Sequence, residues 1–206
     1  LNEHLSVMGI WAPGSSPSEF VLQATRLFDR PELNIRAGKI EATTTLFKNS
    51  EQLADSYLLT STSKNGLSLG SSKLGAELNG IVYDQFFYAL GTVKSNTQNG
   101  DQFNSYYHLS TRLGGTNFSG EEPDIDFDDP SFIDDISFML GHWGYFGSMA
   151  GAGGVSVSQV RRVGFDMKLS IPEWSLWAGV MLGQDTDLSG KIAGNDGEPE
   201  YVKERH

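Results

Sequence analysis

Charged side chains in this chain fall at alternate positions inside otherwise apolar stretches, and these are the residues that could do chemistry. Charges confined to one face of a closed sheet would line a water-filled pore and set its ionic selectivity, or would pair with one another inside it. The candidate pore-lining residues are Arg36, Lys39, Glu77, Arg112, Arg162, Asp166 and Lys168. The same alternation also fits the solvated face of a soluble sheet, so the charges alone leave two interpretations open.

Metal and cofactor chemistry have weaker support in the sequence. Residues 121–135 are acidic and could attract calcium, which takes carboxylate oxygens, but Asp129 stands where an EF-hand loop needs glycine. A solvated acidic loop is the favoured interpretation of this segment. The four histidines, His4, His108, His142 and His206, show no metal-ligand spacing. We therefore predict neither a metal nor a cofactor.

Catalysis also has little support. The chain has no cysteine, which removes thiol nucleophiles, thiolate metal sites and the Cys-x-x-Cys-His attachment motif of c-type haem. The glycine cluster at 151–154 precedes no helical pattern, so a phosphate-binding loop is not expected there. A Ser-His-Asp triad assembled from distant residues stays compatible with the composition, because triads form in space. The prediction is that the protein is not an enzyme.

The candidate residues depend on β-strands to position them. Apolar residues fall on alternate positions from Leu74 to Val82, and alternating runs follow from Phe86 to Val93 and from Tyr107 to Leu113. A period of two is the pattern of a strand, because successive side chains point to opposite faces. Runs of about ten residues exceed ordinary strands of about five or six and match the roughly nine to eleven of a transmembrane barrel strand.

The clearest strand runs from Arg161 to Ile171 and continues, through a turn at 172–173, into a second alternating run. Its apolar series points away from Arg162, Asp166 and Lys168, and in a membrane it would contact lipid. The candidate lipid-facing residues are Val163, Phe165, Met167, Leu169 and Ile171.

The remaining stretches complete an all-β pattern. Strands are predicted at 4–12, 33–37 and 136–147, while 17–28 fits a strand or a helix, with the strand preferred. Residues 142–146 are aromatic enough to suggest an interfacial girdle. The sequence predicts about ten strands within residues 1–184, followed by a polar flexible tail at 185–206.

Composition narrows the class of protein. The net charge of −11 and the pI of about 4.7 argue against nucleic acid as a partner, since phosphate binding needs clustered Lys and Arg. No run of about twenty apolar residues occurs, so no transmembrane helix is predicted. A barrel strand carries apolar residues on one face only, so the mean hydropathy of −0.29 is compatible with a sheet that spans a bilayer.

Several glycine-punctuated strand patterns resemble, in order, those of porin-like outer-membrane β-barrels of metal-reducing bacteria. The pieces are residues 33–39 (LNIRAGK), 75–80 (GAELNG), 87–91 (FYALG), 106–109 (YYHL), 113–115 (LGG), 144–147 (GYFG) and the hairpin from Arg162 to Gly183. The resemblance covers roughly residues 30–185. It implies a location in the bacterial outer membrane, lipid around the barrel, and a polar lumen for small polar solutes. In some members of that family the barrel encloses a multihaem cytochrome, which is an electron-transfer partner.

Two departures from the family pattern affect the expected size of the barrel. Such barrels are usually larger, and their last strand usually ends in an aromatic residue, whereas this chain ends in Glu204-Arg205-His206. The prediction is therefore an antiparallel up-and-down transmembrane β-barrel, or a large part of one, with about ten strands. The alternative is a soluble, secreted β-sandwich or lipocalin-like binding module, whose solvated face would show the same alternation.

Overall fold

The computed structural model describes residues 4–10, 19–30, 32–44, 72–95, 102–114, 136–150, 157–171, 174–187 and 202–205. Most of these residues lie in strands, which confirms the predicted all-β class. Nine strands have six to fifteen residues and a tenth has four. In the same ranges, no helix has the length and apolar character needed to cross a membrane.

The described strands follow one another along the chain. They are β1 (Leu5–Ile10), β2 (Glu19–Ala24), β3 (Asn34–Ile40), β4 (Lys73–Val82), β5 (Phe86–Lys94), β6 (Phe103–Leu113), β7 (Ser137–Ala150), β8 (Val157–Ile171), β9 (Trp174–Asp187) and β10 (Val202–Arg205). A 3-10 turn, Leu27–Asp29, follows β2, where Arg26 and Phe28 have positive φ angles of 51° and 58°. Of the two interpretations of 17–28, the strand is therefore the one that forms, and it ends at Ala24.

Each strand pairs antiparallel with its neighbour in the chain, so the strands form one sheet in sequence order. The predicted antiparallel up-and-down arrangement is confirmed at this level. Over the described ranges the sheet is open, with β1 at one edge and β10 at the other.

Strand pairing continues into the segment that the sequence predicts as a flexible tail. β9 ends at Asp187, and β10 pairs with it, placing Val202 opposite Asp187 and Arg205 opposite Gln184. An edge strand offers a row of free backbone N–H and C=O groups, so a short polar segment can add to it without an apolar face of its own.

The two faces of the sheet differ in exposure and polarity. On the exposed face, apolar side chains lie open at alternate strand positions, among them Leu74, Leu90, Leu109, Phe165 and Val180. The opposite face, which we call the enclosed face, holds most of the buried side chains, and many of these are polar. Buried polar residues there include Glu77, Asn104, His108, Ser110, Arg162 and Asp166.

Glycines allow large side chains of the enclosed face to lie across neighbouring strands. A Cβ at Gly91 would meet Tyr106 Cζ at 2.2 Å, and one at Gly164 would meet Trp143 Cε2 at 2.5 Å. Real Cβ atoms do not approach other atoms this closely, so glycine is required where each ring crosses the next strand. Tyr106 and Trp143 belong to the core, together with Val21, Ile40, Val93, Tyr145 and Val160.

Candidate functional site

The register of the sheet places most of the predicted pore-lining residues on the enclosed face. Arg36 lies opposite Glu77 across β3 and β4, and Met139 of β7 separates Arg112 of β6 from Lys168 of β8 in one row. Arg162 and Asp166 of β8 are buried on the same face. The structure thus brings six of the predicted residues onto one surface: Arg36, Glu77, Arg112, Arg162, Asp166 and Lys168.

Lys39 lies on the other face of the sheet. It pairs with Phe20 of β2 and Leu74 of β4, both of which are exposed. The physical reason is the spacing: Arg36 and Lys39 are an odd number of residues apart, and side chains of a regular strand alternate between faces. The assignment of both residues to one lumen is corrected accordingly, with Lys39 on the exposed face.

Glu77 is the centre of the best-connected part of the enclosed face. Arg36 Nε donates to Glu77 Oε1 at 2.8 Å and Arg36 Nη2 donates to Oε2 at 2.8 Å, which is a bidentate ion pair. Tyr106 Oη donates to Oε2 at 2.6 Å, and Asn79 Nδ2 donates to Oε1 at 2.8 Å. The Glu77 side chain is 1% exposed, so its charge is held by these four donors in place of water.

The chain immediately after β3 lies against this ion pair. Arg36 Nη2 donates to the carbonyl of Glu41 at 2.9 Å and also to Thr43 Oγ1. The backbone N–H of Thr43 donates to Glu77 Oε2 at 3.4 Å, and Thr44 is buried. Residues 41–44 therefore leave the plane of the sheet and lie on its enclosed face.

Two further polar groupings extend the enclosed face toward its ends. Asn104 Nδ2 donates to Tyr145 Oη at 2.8 Å, and Lys73 Nζ lies 5.9 Å from the centre of the Tyr145 ring. At the other end, Lys168 Nζ lies 4.9 Å from the centre of the Trp177 ring, a cation–π distance. Lysine side chains of the enclosed face therefore lie beside aromatic rings at both of these places.

The predicted lipid-facing residues share the exposed face. Val163, Phe165, Met167, Leu169 and Ile171 alternate with the enclosed positions of β8. Phe165 packs on His142 of β7, with ring centroids 4.5 Å apart. The Phe146 ring stacks on the Tyr107 ring, with the ring centroids 6.2 Å apart. The Arg161 guanidinium carbon lies 5.6 Å from the centre of the Phe146 ring.

The aromatic cluster at 142–146 is divided between the two faces. His142 and Phe146 lie on the exposed face, whereas Trp143 and Tyr145 are buried on the enclosed face. The predicted single girdle is corrected, because adjacent residues of a strand point to opposite sides of the sheet. Only alternate members of the cluster can contact the same environment.

Sequence reasoning missed the polar residues that pack around the predicted charges, such as Tyr106, His108, Ser110 and Asn104. The signal that could have found them is the alternation within β6, where every second residue from Asn104 to Arg112 is polar or aromatic. Over the described ranges, no cluster of three or more His, Cys, Asp or Glu residues could hold a metal ion.

The sequence features that lie outside the described residues include the glycine cluster at 151–154 and two further segments. One is the acidic segment 121–135. The other is Gly66-Leu67-Ser68-Leu69-Gly70, which has the Gly-x-Ser-x-Gly spacing of a hydrolase nucleophile turn. Such a turn needs a strand before it and a helix after it, so the spacing alone is weak support for catalysis.

Comparison with protein families, with curated proteins and with solved structures found no match to this chain. We therefore infer function from the distribution of charge and apolar surface over the two faces of the sheet.

Proposed function

We propose that this chain forms the wall of an outer-membrane β-barrel, or a large part of one, whose enclosed face lines a polar lumen for small polar solutes. The observation that carries the proposal is the polarity of the two faces: many exposed strand positions hold large apolar side chains, and the enclosed positions include a buried ion pair with its hydrogen-bond partners. A soluble sandwich or lipocalin-like module needs apolar residues inside and polar residues outside. A membrane barrel needs the reverse.

The position of the apolar surface along the strands gives further support. One row of paired residues crosses the exposed face from β1 to β9. Its residues are apolar on the first strands and mostly polar on the last ones. It runs Val7, Leu22, Ala37, Ala76, Thr92, Ser105, Phe146, Arg161, Gln184.

On the later strands the apolar residues lie nearer the opposite end of the sheet. Leu113, Phe138, Leu169 and Leu176 form one such row. An apolar band that crosses the rows obliquely is expected when strands are tilted by roughly 35–45° to the membrane normal.

Substitutions within a single row test this band. Leu22→Arg places a charge inside the band and is expected to impair assembly into lipid vesicles, because arginine near the bilayer midplane costs about 2–4 kcal/mol. Gln184→Arg, in the same row but outside the band, is expected to assemble normally. Assembly is measured as the folded fraction by gel mobility without heating. Equal behaviour of the two variants, or solubility of the unmodified chain without detergent, would contradict the membrane assignment.

Charge reversal tests the lumen separately from the membrane face. Arg112→Glu is expected to shift the ion selectivity of the channel toward cations, because a charge that lines a pore acts on ions at short range. Lys39→Glu is the matched control, since Lys39 lies on the exposed face. Reversal potentials in planar bilayers under a salt gradient give the measurement. A reversal potential that Arg112→Glu leaves unchanged would remove this residue from the conduction path.

Enclosure of a multihaem cytochrome is the second use that the resemblance implies for such a lumen. A barrel that encloses a cytochrome needs the same apolar outer face and polar inner face. The Leu22→Arg and Arg112→Glu experiments therefore apply to it as well. Conductance distinguishes the two uses, since a lumen that carries solutes conducts ions without a partner.

A further inference from the structure

Polar side chains from three neighbouring strands converge on Gly141 of β7, away from the Arg36–Glu77 pair. Ser110 of β6 and Asp166 of β8 are its register partners on either side. A Cβ at Gly141 would meet Asp166 Oδ1 at 1.8 Å and His108 Nε2 at 3.0 Å. A carboxylate oxygen and an imidazole nitrogen are thus directed at the same point.

Three residues beside this point in the register have buried polar atoms that lack a hydrogen-bond partner within the described part of the chain. In the ranges that the structure describes, neither ring nitrogen of His108 makes a hydrogen bond, and the same holds for Ser110 Oγ and Trp143 Nε1. All three residues are buried, with His108 at 1% and Trp143 at 0% exposure. Buried polar groups are almost always hydrogen-bonded, and leaving one unsatisfied costs about 1–3 kcal/mol. Three such residues in one patch indicate a ligand that satisfies them.

The chemistry of the patch restricts the ligand. The near-complete burial of His108 and Trp143 leaves no accessible surface for a molecule of several heavy atoms. The carboxylate of Asp166 disfavours an anion and favours a cation. Imidazole with carboxylate and hydroxyl oxygens, and without thiolate, is a donor set for zinc, nickel or copper dications.

We propose that His108 and Asp166 bind a divalent transition-metal ion beside Gly141. Ser110 supplies a third, weaker oxygen donor. Trp143 Nε1–H lies over Gly164 of β8 and, as a donor only, cannot ligate a metal. With only two strong protein ligands, the affinity is lower than that of four-ligand structural zinc sites. The site is a property of the folded sheet and does not depend on the membrane location proposed above.

The test uses the full chain, folded in detergent, with Zn²⁺ titrated in a calorimeter and Cu²⁺ followed by electron paramagnetic resonance. We expect saturable Zn²⁺ binding that His108→Gln weakens by about tenfold or more, on the scale of changes near metal sites. Asp166→Asn should also weaken Zn²⁺ binding. His142→Gln, on the exposed face, is the matched control and should bind as the unmodified chain does.

A second variant keeps the proposal falsifiable if His108→Gln fails to fold. Replacing His4, His142 and His206 with glutamine leaves His108 as the only histidine, so any imidazole-nitrogen coupling in the Cu²⁺ spectrum must come from it. Retention of that coupling supports the site, and its loss overturns it. Absence of saturable Zn²⁺ binding, or equal affinity in His108→Gln and the unmodified chain, would mean that only water fills the patch and would equally overturn the proposal.

Discussion

Replacing Glu77 with alanine is expected to lower the free energy of unfolding by about 3–5 kcal/mol, the usual cost of removing one partner of a buried ion pair. Five donors lose their acceptor, two of them on the Arg36 guanidinium, whose side chain is only 20% exposed. The measurement is the midpoint of urea unfolding of the chain folded in vesicles or detergent.

A double-mutant cycle separates this effect from general weakening of the sheet. Arg36→Ala together with Glu77→Ala should cost much less than the sum of the single changes, because the second change removes the unpaired charge. Lys39→Ala, on the exposed face of the same strand as Arg36, should change stability by about 0.5 kcal/mol or less. Additive losses for the pair would show that Arg36 and Glu77 do not stabilise the fold through each other.

Replacing Phe165 with arginine is expected to cost about 2–4 kcal/mol and to reduce assembly of the chain into bilayers. Phe165 is 59% exposed and lies among apolar residues, with Leu140 and Val180 nearby on the same face. In water such a substitution relieves an exposed apolar surface, so it would be neutral or favourable. The sign of the effect therefore distinguishes lipid from water as the medium around this face.

Gln159→Arg is the control for this substitution, since Gln159 lies on the same strand and the same face but beyond the apolar band. Assembly is followed by protection from protease after mixing with preformed vesicles. If both variants assemble like the unmodified chain, lipid does not surround Phe165 and the barrel proposal fails.

The sequence predicts the faces of the sheet well, since a period of two is a local property of each strand. It placed Arg162, Asp166 and Lys168 on one face of β8 and Phe165 on the other, as the register has them. The prediction that Lys39 shares a face with Arg36 is wrong, because the two residues are three positions apart on one strand and strand side chains alternate between faces.

The contacts between strands could not be predicted in the same way. Glu77 and Tyr106 meet only because β5 lies between their strands and carries Gly91 at the crossing point. His108 and Asp166 approach one point because Gly141 lies between them. Each of these contacts between side chains depends on the register of two adjacent strand pairs. Register is set by the turns and by the packing of the whole sheet.

The sequential order of the strands has a consequence for how the sheet forms. Every ladder joins strands that follow each other in the chain, so contact order is low for a β protein, and folding can proceed by adding one hairpin at a time. The entropic cost of closing each hairpin grows with the number of residues in the loop that connects its two strands. β8 and β9, separated by residues 172–173 alone, close most readily, whereas the β3–β4 ladder must close residues 41–72. The Arg36–Glu77 pair spans that ladder. We therefore expect this ion pair to form late in folding and not to belong to the folding nucleus.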